Sequence, residues 1–245
     1  MATPKPYKRT ARPHLGGNYL TQCGYIQHPQ FAMSPAHFIR AFEVLQKDLI
    51  ELFDYIEPSD GNLNCYSYRI HELLTRACIE VEANCRAILT ENSYSGSRKL
   101  TMTDYSKLEK THHLSSFSVR LPLWEGARNP RMPYEHWKHG HGLPWYQAYN
   151  ETKHSRHENF EQSSFGNMLD AVCGLVAILA SQFAIIDFGP EHYTGPSSRV
   201  AGFDVAIGGY FEVKFPDDWP SSEQYDFDWS RLRNDPSPFE NLEFS

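Results

Sequence analysis

The sequence is poor in cysteine and has no apolar run long enough to suggest a membrane span. Its 5 cysteines among 245 residues form no C-x-x-C pair. This argues against a disulfide scaffold and a cysteine-based zinc site, and favours a reducing compartment. The longest apolar stretch, residues 171–186, is shorter than the roughly 20 residues of a transmembrane helix. The polar, proline-rich N-terminus also lacks the apolar segment of a signal peptide. We therefore expect a soluble, cytoplasmic protein with no membrane partner.

The chain has no internal repeat and no overall excess of positive charge. It contains 23 Lys and Arg against 30 Asp and Glu, a formal charge of −7. Residues 216–245 account for most of this excess, with 8 acidic and 2 basic residues. One hypothesis is that this tail mimics nucleic acid and shields the basic stretch at 98–157. That stretch holds 10 basic, 5 acidic and 7 of the 12 histidine residues. Its composition is typical of a phosphate-binding surface or of a solvated loop with mixed charges.

Apolar residues recur at spacings of three and four over several segments, which predicts amphipathic helices. Ser34-Pro35 predicts the start of the first helix, with serine at N-cap and proline at the first helical position. The predicted helices span residues 34–56, 65–90, 103–110, 145–157 and 161–186. Gly208-Gly209, between extended runs at 203–207 and 210–215, predicts a β-hairpin. The predicted fold class is mainly α, a helical bundle with a small C-terminal β-hairpin and an irregular acidic tail.

These elements predict one bundle with an appendage at each end. Residues 1–33 are expected to form an irregular N-terminal arm, and residues 34–187 the bundle. Residues 188–245 are expected to form the hairpin and the acidic tail, packed on the bundle. Prolines and glycines interrupt any periodicity over 98–144, so we expect a long irregular insertion there. Connections of this length are often functional.

The densest group of polar residues is YNETKHSRH, at 149–157. On a helix, Asn150 and His154 lie four residues apart and share a face. Histidine transfers protons near neutral pH, and asparagine both donates and accepts hydrogen bonds. With Lys153 and Arg156 beside them, this set suits metal-independent cleavage of a phosphodiester by an internal 2′-hydroxyl. Alternatively, Asn150 and His154 only bridge neighbouring helices.

Two segments of the chain resemble the HEPN superfamily of α-helical bundle proteins. WYQAYNETKHSRHENF, followed by NMLDAVCGLVAILASQF, is similar to the late motif helix of that superfamily in its N-x-x-K-H variant. RIHELLTRACIEVEANCRAI is similar to the preceding helix, which bears Arg and Glu. The resemblance covers about residues 34–187. It implies a metal-independent endoribonuclease of a bacterial defence or toxin-type system. It also implies RNA as a partner, and a homodimer or a partner protein of the same system.

The resemblance also assigns roles to individual residues. His154 becomes the general acid and base, and Asn150 orients the scissile phosphate. The implied substrate-binding residues are Lys153, Arg156, Tyr149, Arg76 and His157. Tyr149 stands where the motif has arginine, and a phenol cannot replace a permanently charged guanidinium. We therefore expect the charge to come from Arg156, one turn away, or from Arg69 or Arg76 of the preceding helix. The alternative is a catalytically inactive HEPN-like module that binds RNA or a protein.

A second group of histidines, His136, His139 and His141, has a spacing that could hold zinc. Loops rich in glycine and tryptophan rarely orient three ligands, so we expect no metal and no cofactor. The neighbouring Trp137 and Trp145 could stack on unpaired bases, or they could seal the bundle.

Overall fold

The structure is a computed structural model that describes residues 2–96, 99–188 and 202–244. Helices dominate this part of the chain, and three short strands form one antiparallel sheet. The helices are α1 (Pro35–Leu52), α2 (Tyr68–Glu91), α3 (Met102–Tyr105), α4 (Leu108–His112), α5 (Pro144–His154), α6 (Arg156–Asn159), α7 (Phe165–Phe183) and α8 (Trp229–Leu232). The strands are β1 (Ser118–Arg120), β2 (Asp204–Val205) and β3 (Glu212–Lys214). The prediction of a mainly helical protein with a small β element is confirmed.

Helix α7 lies at the centre of the core and packs against α2 and α5. The side chain of Ser164 caps it by accepting a hydrogen bond from the amide of Asn167, and almost every residue of the helix is buried. Among the described helices, α7 alone is long and apolar enough to cross a membrane, but 83% of its most apolar window is buried inside the protein. This burial is that of a core helix in a soluble protein. The cytoplasmic location stays a prediction.

A small residue, Gly174 of α7, lets α5 approach α7 closely. A Cβ atom on Gly174 would lie 3.2 Å from the ring of Trp145 on α5. The Trp145 ring nitrogen donates to the carbonyl of Pro133 at 2.8 Å. The hydroxyl of Tyr134 donates to the carbonyl of Gly174 at 3.1 Å. Gly174 therefore fixes the distance between the two helices.

Helices α1 and α2 form an adjacent pair whose ends differ slightly from the prediction. Helix α1 begins with Pro35 as predicted, but Ser34 has a φ of 51° and its side chain makes no capping hydrogen bond. Helix α2 is capped by Ser67, whose hydroxyl accepts from the amide of Ile70. The predicted first helix extends beyond Leu52, whereas the structure has turns there.

The predicted hairpin is present, and a third strand extends it. Strands β2 and β3 pair antiparallel, and between them Gly208 and Gly209 have φ angles of 82° and 73°. Strand β1 pairs with the other edge of β3, with Val119 opposite Val213. The single helix predicted over 103–110 is two short helices, α3 and α4, and β1 makes the described segment 99–144 less irregular than predicted. A strand of three residues is too short for its alternating pattern to be recognised.

The N-terminal arm and the acidic tail pack against each other and against the bundle. Thr3 forms a parallel β-bridge with Tyr225, and Tyr225 is fully buried. Arg9 is also fully buried. Its guanidinium donates to Glu91 of α2 at 2.6 Å and to Gln182 of α7 at 2.9 Å. The arm is therefore part of the core and not a free extension.

Candidate functional site

The predicted catalytic pair lies at the C-terminal end of α5. Helix α5 ends at His154, because Ser155, with φ −138° and ψ 53°, breaks the chain before α6 begins at Arg156. The single helix predicted over this segment is thus two helices. Asn150 is half-buried and His154 is exposed, and neither side chain has a hydrogen-bond partner among the described residues. His154 is therefore accessible to a ligand, one helical turn after Asn150.

Tyr149 and Lys153 lie on the same helix and are hydrogen-bonded to each other. Tyr149 is only 2% exposed. The ammonium of Lys153 donates to its hydroxyl at 3.2 Å and lies 5.1 Å from the centre of its ring. This hydrogen bond is the main reason that the pKa of Lys153 is raised, whereas burial raises the pKa of Tyr149. Tyr149, a predicted substrate-binding residue, is therefore packed in the core, and Lys153 stays charged above it.

Arg76 is not brought to the same place. It forms an ion pair with Asp48 of α1 and lines two grooves between α1 and α2. In the described part of the chain, no α5 residue lines either groove. The position of Arg76 therefore does not support its predicted role as a phosphate clamp for Asn150 and His154.

An exposed aromatic cluster lies beside Arg156; it consists of Tyr66, Tyr68, His71 and Phe160. The ring centre of Phe160 is 5.7 Å from that of Tyr66, 4.8 Å from that of Tyr68 and 5.9 Å from that of His71. Tyr66 and Tyr68 are 52% and 65% exposed. The guanidinium of Arg156 lies 5.7 Å from the ring centre of Tyr68. Exposed rings with a cation above them can stack on nucleic-acid bases and attract phosphate.

His71 is the titratable member of the aromatic cluster. Its Nδ1 lies 2.8 Å from the hydroxyl of Ser163, and Ser163 is fully buried. Burial lowers the pKa of His71, and the positive charge of Arg156 lowers it further. His71 is therefore mostly neutral at neutral pH and serves better as a hydrogen-bonding group than as an acid. The predicted substrate-binding residue His157 is exposed on α6, next to Arg156.

A polar cleft of about 540 Å³ begins at Tyr66; we call it the arginine cleft. Its walls include Tyr66, Arg128, Arg131, Ser164, Asn167 and Asp170. Arg131 is buried and donates to the carboxylate of Asp170 at 2.6 Å, whereas Arg128 is exposed. Because Tyr66 belongs to both features, the aromatic cluster and the arginine cleft form one continuous surface.

Asp60 holds the loop that carries Arg128. Its carboxylate accepts hydrogen bonds from the ring nitrogen of Trp124 at 2.8 Å, the amide of Ala127 at 2.7 Å and the amide of Arg128 at 3.2 Å. Gly126 has a φ of 131°, and a Cβ atom there would collide with the Asp60 carboxylate. Partial desolvation opposes ionisation of Asp60, but the hydrogen bonds together outweigh it and lower its pKa. The ionised carboxylate of Asp60 therefore holds the loop that carries Arg128 at this wall of the cleft.

The second group of histidines is not arranged as a set of metal ligands in the described part of the chain. No three His, Cys, Asp or Glu residues are grouped to hold a metal ion in the chain as far as the structure describes it. The rings of His139 and His141 have centres 6.2 Å apart. Trp137 and Trp145 are 6% and 2% exposed, so they seal the bundle and cannot stack on bases.

Comparison of the chain with protein-family models found no matching family. Searches of the curated proteins and of the solved structures found no match either. The resemblance to the HEPN superfamily therefore stays a prediction, and the function has to be inferred from the geometry of the surface.

The aromatic cluster and the arginine cleft were not predicted from the sequence. One signal was available, because Tyr66 and Tyr68 flank Ser67, the N-cap of α2, and lie outside the apolar stripe of that helix. Large aromatic residues outside the apolar stripe of a helix are not expected to be buried in the core. Arg128 and Arg131 carry no comparable signal, because the cleft is built from segments that are distant in sequence.

Proposed function

We propose that the protein binds single-stranded RNA through the aromatic cluster and the arginine cleft. The observation that carries this proposal is the position of two tyrosines, 52% and 65% exposed. They lie beside Arg156 and at the mouth of a cleft that contains two further arginines. A contiguous exposed apolar surface commonly marks a binding site. Base stacking on exposed rings gives binding that tolerates different sequences.

The charge distribution favours a single strand over a duplex. Unpaired bases can stack on Tyr66 and Tyr68, whereas bases inside a duplex cannot. The chain carries a net charge of −7, so its positive surface is local and poorly suited to a long double-helical backbone. RNA, in preference to DNA, is supported by the resemblance to the HEPN superfamily. We expect a duplex of the same sequence to bind much more weakly.

Fluorescence anisotropy with labelled single-stranded RNA tests the proposal. We expect Tyr66→Ala/Tyr68→Ala to weaken binding at least tenfold, because stacking contributes about 1–3 kcal/mol per base. Tyr55→Ala is the matched control, since Tyr55 is 80% exposed and belongs to neither feature. Unchanged affinity of the double variant would contradict the proposal.

A second candidate function is metal-independent RNA cleavage at the end of α5, in a bacterial defence or toxin-type system. It is favoured by the accessibility of His154, one turn after Asn150, in a segment that continues through Arg156 into the aromatic cluster. His154 would transfer the proton and Asn150 would orient the phosphate. Because Tyr149 stands at the position of the motif arginine and is buried, this pair lacks the guanidinium of the motif. A homodimer would supply that charge if Arg156 of the second copy reached the pair.

Cleavage is tested with end-labelled single-stranded RNA in the presence of EDTA. If His154 is catalytic, His154→Ala removes the product, whereas His136→Ala, at an exposed histidine outside this surface, leaves it unchanged. Light scattering of the purified protein reports whether it is a dimer. Binding without cleavage by the unmodified protein would reject catalysis and leave the RNA-binding module.

A further inference from the structure

Arg131 lines the arginine cleft and has two buried hydrogen-bond donors without a partner among the described residues. Its side chain is only 7% exposed. Nη1 donates to the carboxylate of Asp170 at 2.6 Å, whereas Nε and Nη2 have no acceptor among the described residues. A buried donor without a partner is costly and is rare in folded proteins. The two free donors therefore point to a ligand with two acceptor atoms.

Several contacts fix the position of Arg131. Its backbone amide and carbonyl both bond to Val119 of β1 at 2.8 Å. Its guanidinium lies 4.9 Å from the ring centre of Trp124, and that ring is itself held by Asp60. The guanidinium cannot turn towards solvent without losing its contacts with Trp124 and Asp170. Its free donors are thus pre-organised, which lowers the entropic cost of binding a ligand.

The arginine cleft also lies at the start of α7, where the helix dipole is positive. Ser164 and Asn167 line the cleft there, and the first turn of α7 contains no acidic residue. The amides of Phe165 and Gly166 already donate to backbone carbonyls. The helix therefore contributes its dipole, and the side chain of Arg131 contributes the free donors.

The charges around the cleft favour an anion at Arg131. The carboxylate of Asp170, which pairs with Arg131, is 35% exposed, whereas the side chain of Arg131 is 7% exposed, so water and salt screen the carboxylate more than the guanidinium. Arg128 and Glu161 are both exposed and are screened as well. The buried guanidinium acts at a lower effective dielectric constant and is felt more strongly. Two oxygens of a phosphate match two parallel guanidinium donors. We propose that the arginine cleft binds a phosphate monoester through Nε and Nη2 of Arg131, with Arg128 assisting.

A phosphate monoester could come from the end of an RNA strand or from a free nucleotide. Tyr66 joins the cleft to the aromatic cluster, so a strand whose base stacks on Tyr66 can place its terminal phosphate beside Arg131. This version rests on the proposed RNA-binding function. The phosphate site itself does not, because the buried guanidinium and its free donors exist with or without RNA.

Two binding measurements test the site. Isothermal titration calorimetry uses inorganic phosphate and AMP, and anisotropy compares RNAs that differ only in a 5′-phosphate, a 3′-phosphate or hydroxyl ends. We expect both small ligands to bind, and one phosphorylated RNA to bind about tenfold more tightly than the hydroxyl-ended strand, since charge-assisted hydrogen bonds are strong. Arg131→Lys keeps a charge for Asp170, loses the forked donors and should abolish both effects. Arg128→Gln, at an exposed position, should weaken phosphate binding severalfold. Arg233→Gln, exposed in the tail, is the matched control and should change nothing.

Each outcome decides the proposal. Absence of phosphate and AMP binding, with equal affinity for the three RNAs, would overturn the site whatever the RNA affinity is. Phosphate binding that persists in Arg131→Lys would place the ligand elsewhere and overturn it as well. Phosphate binding without any RNA binding would support the site for a free nucleotide and reject the proposed RNA function. If circular dichroism shows that Arg131→Lys does not fold, Arg128→Gln is used in its place. Weaker phosphate binding by Arg128→Gln would then support the site, and unchanged phosphate binding would overturn it.

Discussion

His112 is expected to make the stability of the protein depend on pH. It lies at the end of α4, is 1% exposed, and joins the N-terminal arm to the bundle. Its Nε2 lies 3.2 Å from the carbonyl oxygen of Arg9, and its Nδ1 lies 2.8 Å from the hydroxyl of Thr111. Because a carbonyl can only accept, Nε2 carries the proton and Nδ1 accepts from Thr111. The buried ring is therefore a neutral imidazole with both nitrogens in use.

Burial is the main reason that the pKa of His112 falls from 6.5 to about 3; the hydrogen bond to Arg9 opposes this shift, and the charge of Arg12 adds to it. Below pH 6.5 the unfolded chain takes up a proton at this residue, whereas the folded chain does not. The stability that His112 contributes is therefore present above pH 6.5 and is lost as the pH falls towards 3. Between pH 7 and pH 5 the loss amounts to about 2 kcal/mol of unfolding free energy.

Urea unfolding at pH 7, 6 and 5 measures this effect. The unmodified protein should lose about 2 kcal/mol more between pH 7 and pH 5 than His112→Gln, which cannot titrate in this range. His136→Gln, at an exposed histidine, should behave like the unmodified protein. Carboxylates contribute to the slope in all three proteins, so the difference between them isolates the imidazole. Equal slopes for the unmodified protein and His112→Gln would refute the reasoning.

Three further changes test other parts of the fold. Arg9→Met leaves the carboxylate of Glu91 without its buried partner, so we expect a loss of about 3 kcal/mol or more in urea unfolding. Gly174→Val places atoms against Trp145, where even a Cβ would lie at 3.2 Å, and thermal unfolding should show a loss of about 1–3 kcal/mol. Asp60→Ala releases the loop at residues 124–128, so trypsin should cleave there faster than in the unmodified protein, as followed by mass spectrometry; an unchanged cleavage rate would show that the carboxylate does not hold the loop.

Local signals were enough to predict the three long helices and the hairpin. The apolar stripes of α1, α2 and α7 and the pair Gly208-Gly209 lie within short windows, so the sequence reveals them directly. The arm was harder to predict because Arg9 resembles a solvated cation until the fold places it against Glu91 and Gln182. The break at Ser155 depends on a single backbone conformation, which a helical pattern does not show.

The residues of the candidate site also fall into two groups: those that a short stretch of sequence predicts, and those that only the fold brings together. Asn150 and His154 are four residues apart on one helix, so their proximity could be predicted. The proposed role of Arg76 depended on which side of α2 faces α5, and the structure directs this residue towards Asp48 of α1. The arginine cleft combines residues near 64, 130 and 165, and only the tertiary fold brings such segments together. Sequence reasoning therefore finds local pairs of functional residues but misses surfaces assembled over long range.

The carboxylates of the acidic tail contact the N-terminal arm and His113 and do not form ion pairs with the arginines of the proposed RNA surface in the described part of the chain. Asp235 accepts from Lys5 of the arm at 2.8 Å, and the carboxylate of Asp218 lies 3.5 Å from a ring nitrogen of His113. In the described part of the chain, no ion pair joins the tail to an arginine of the cleft or to Arg156. Because Tyr225 of the tail is fully buried, deleting the tail would disturb the core and the charge together. Replacing exposed tail carboxylates by amides therefore tests the shielding hypothesis more cleanly, and the geometry predicts no gain in RNA affinity beyond a weak, salt-dependent effect of net charge.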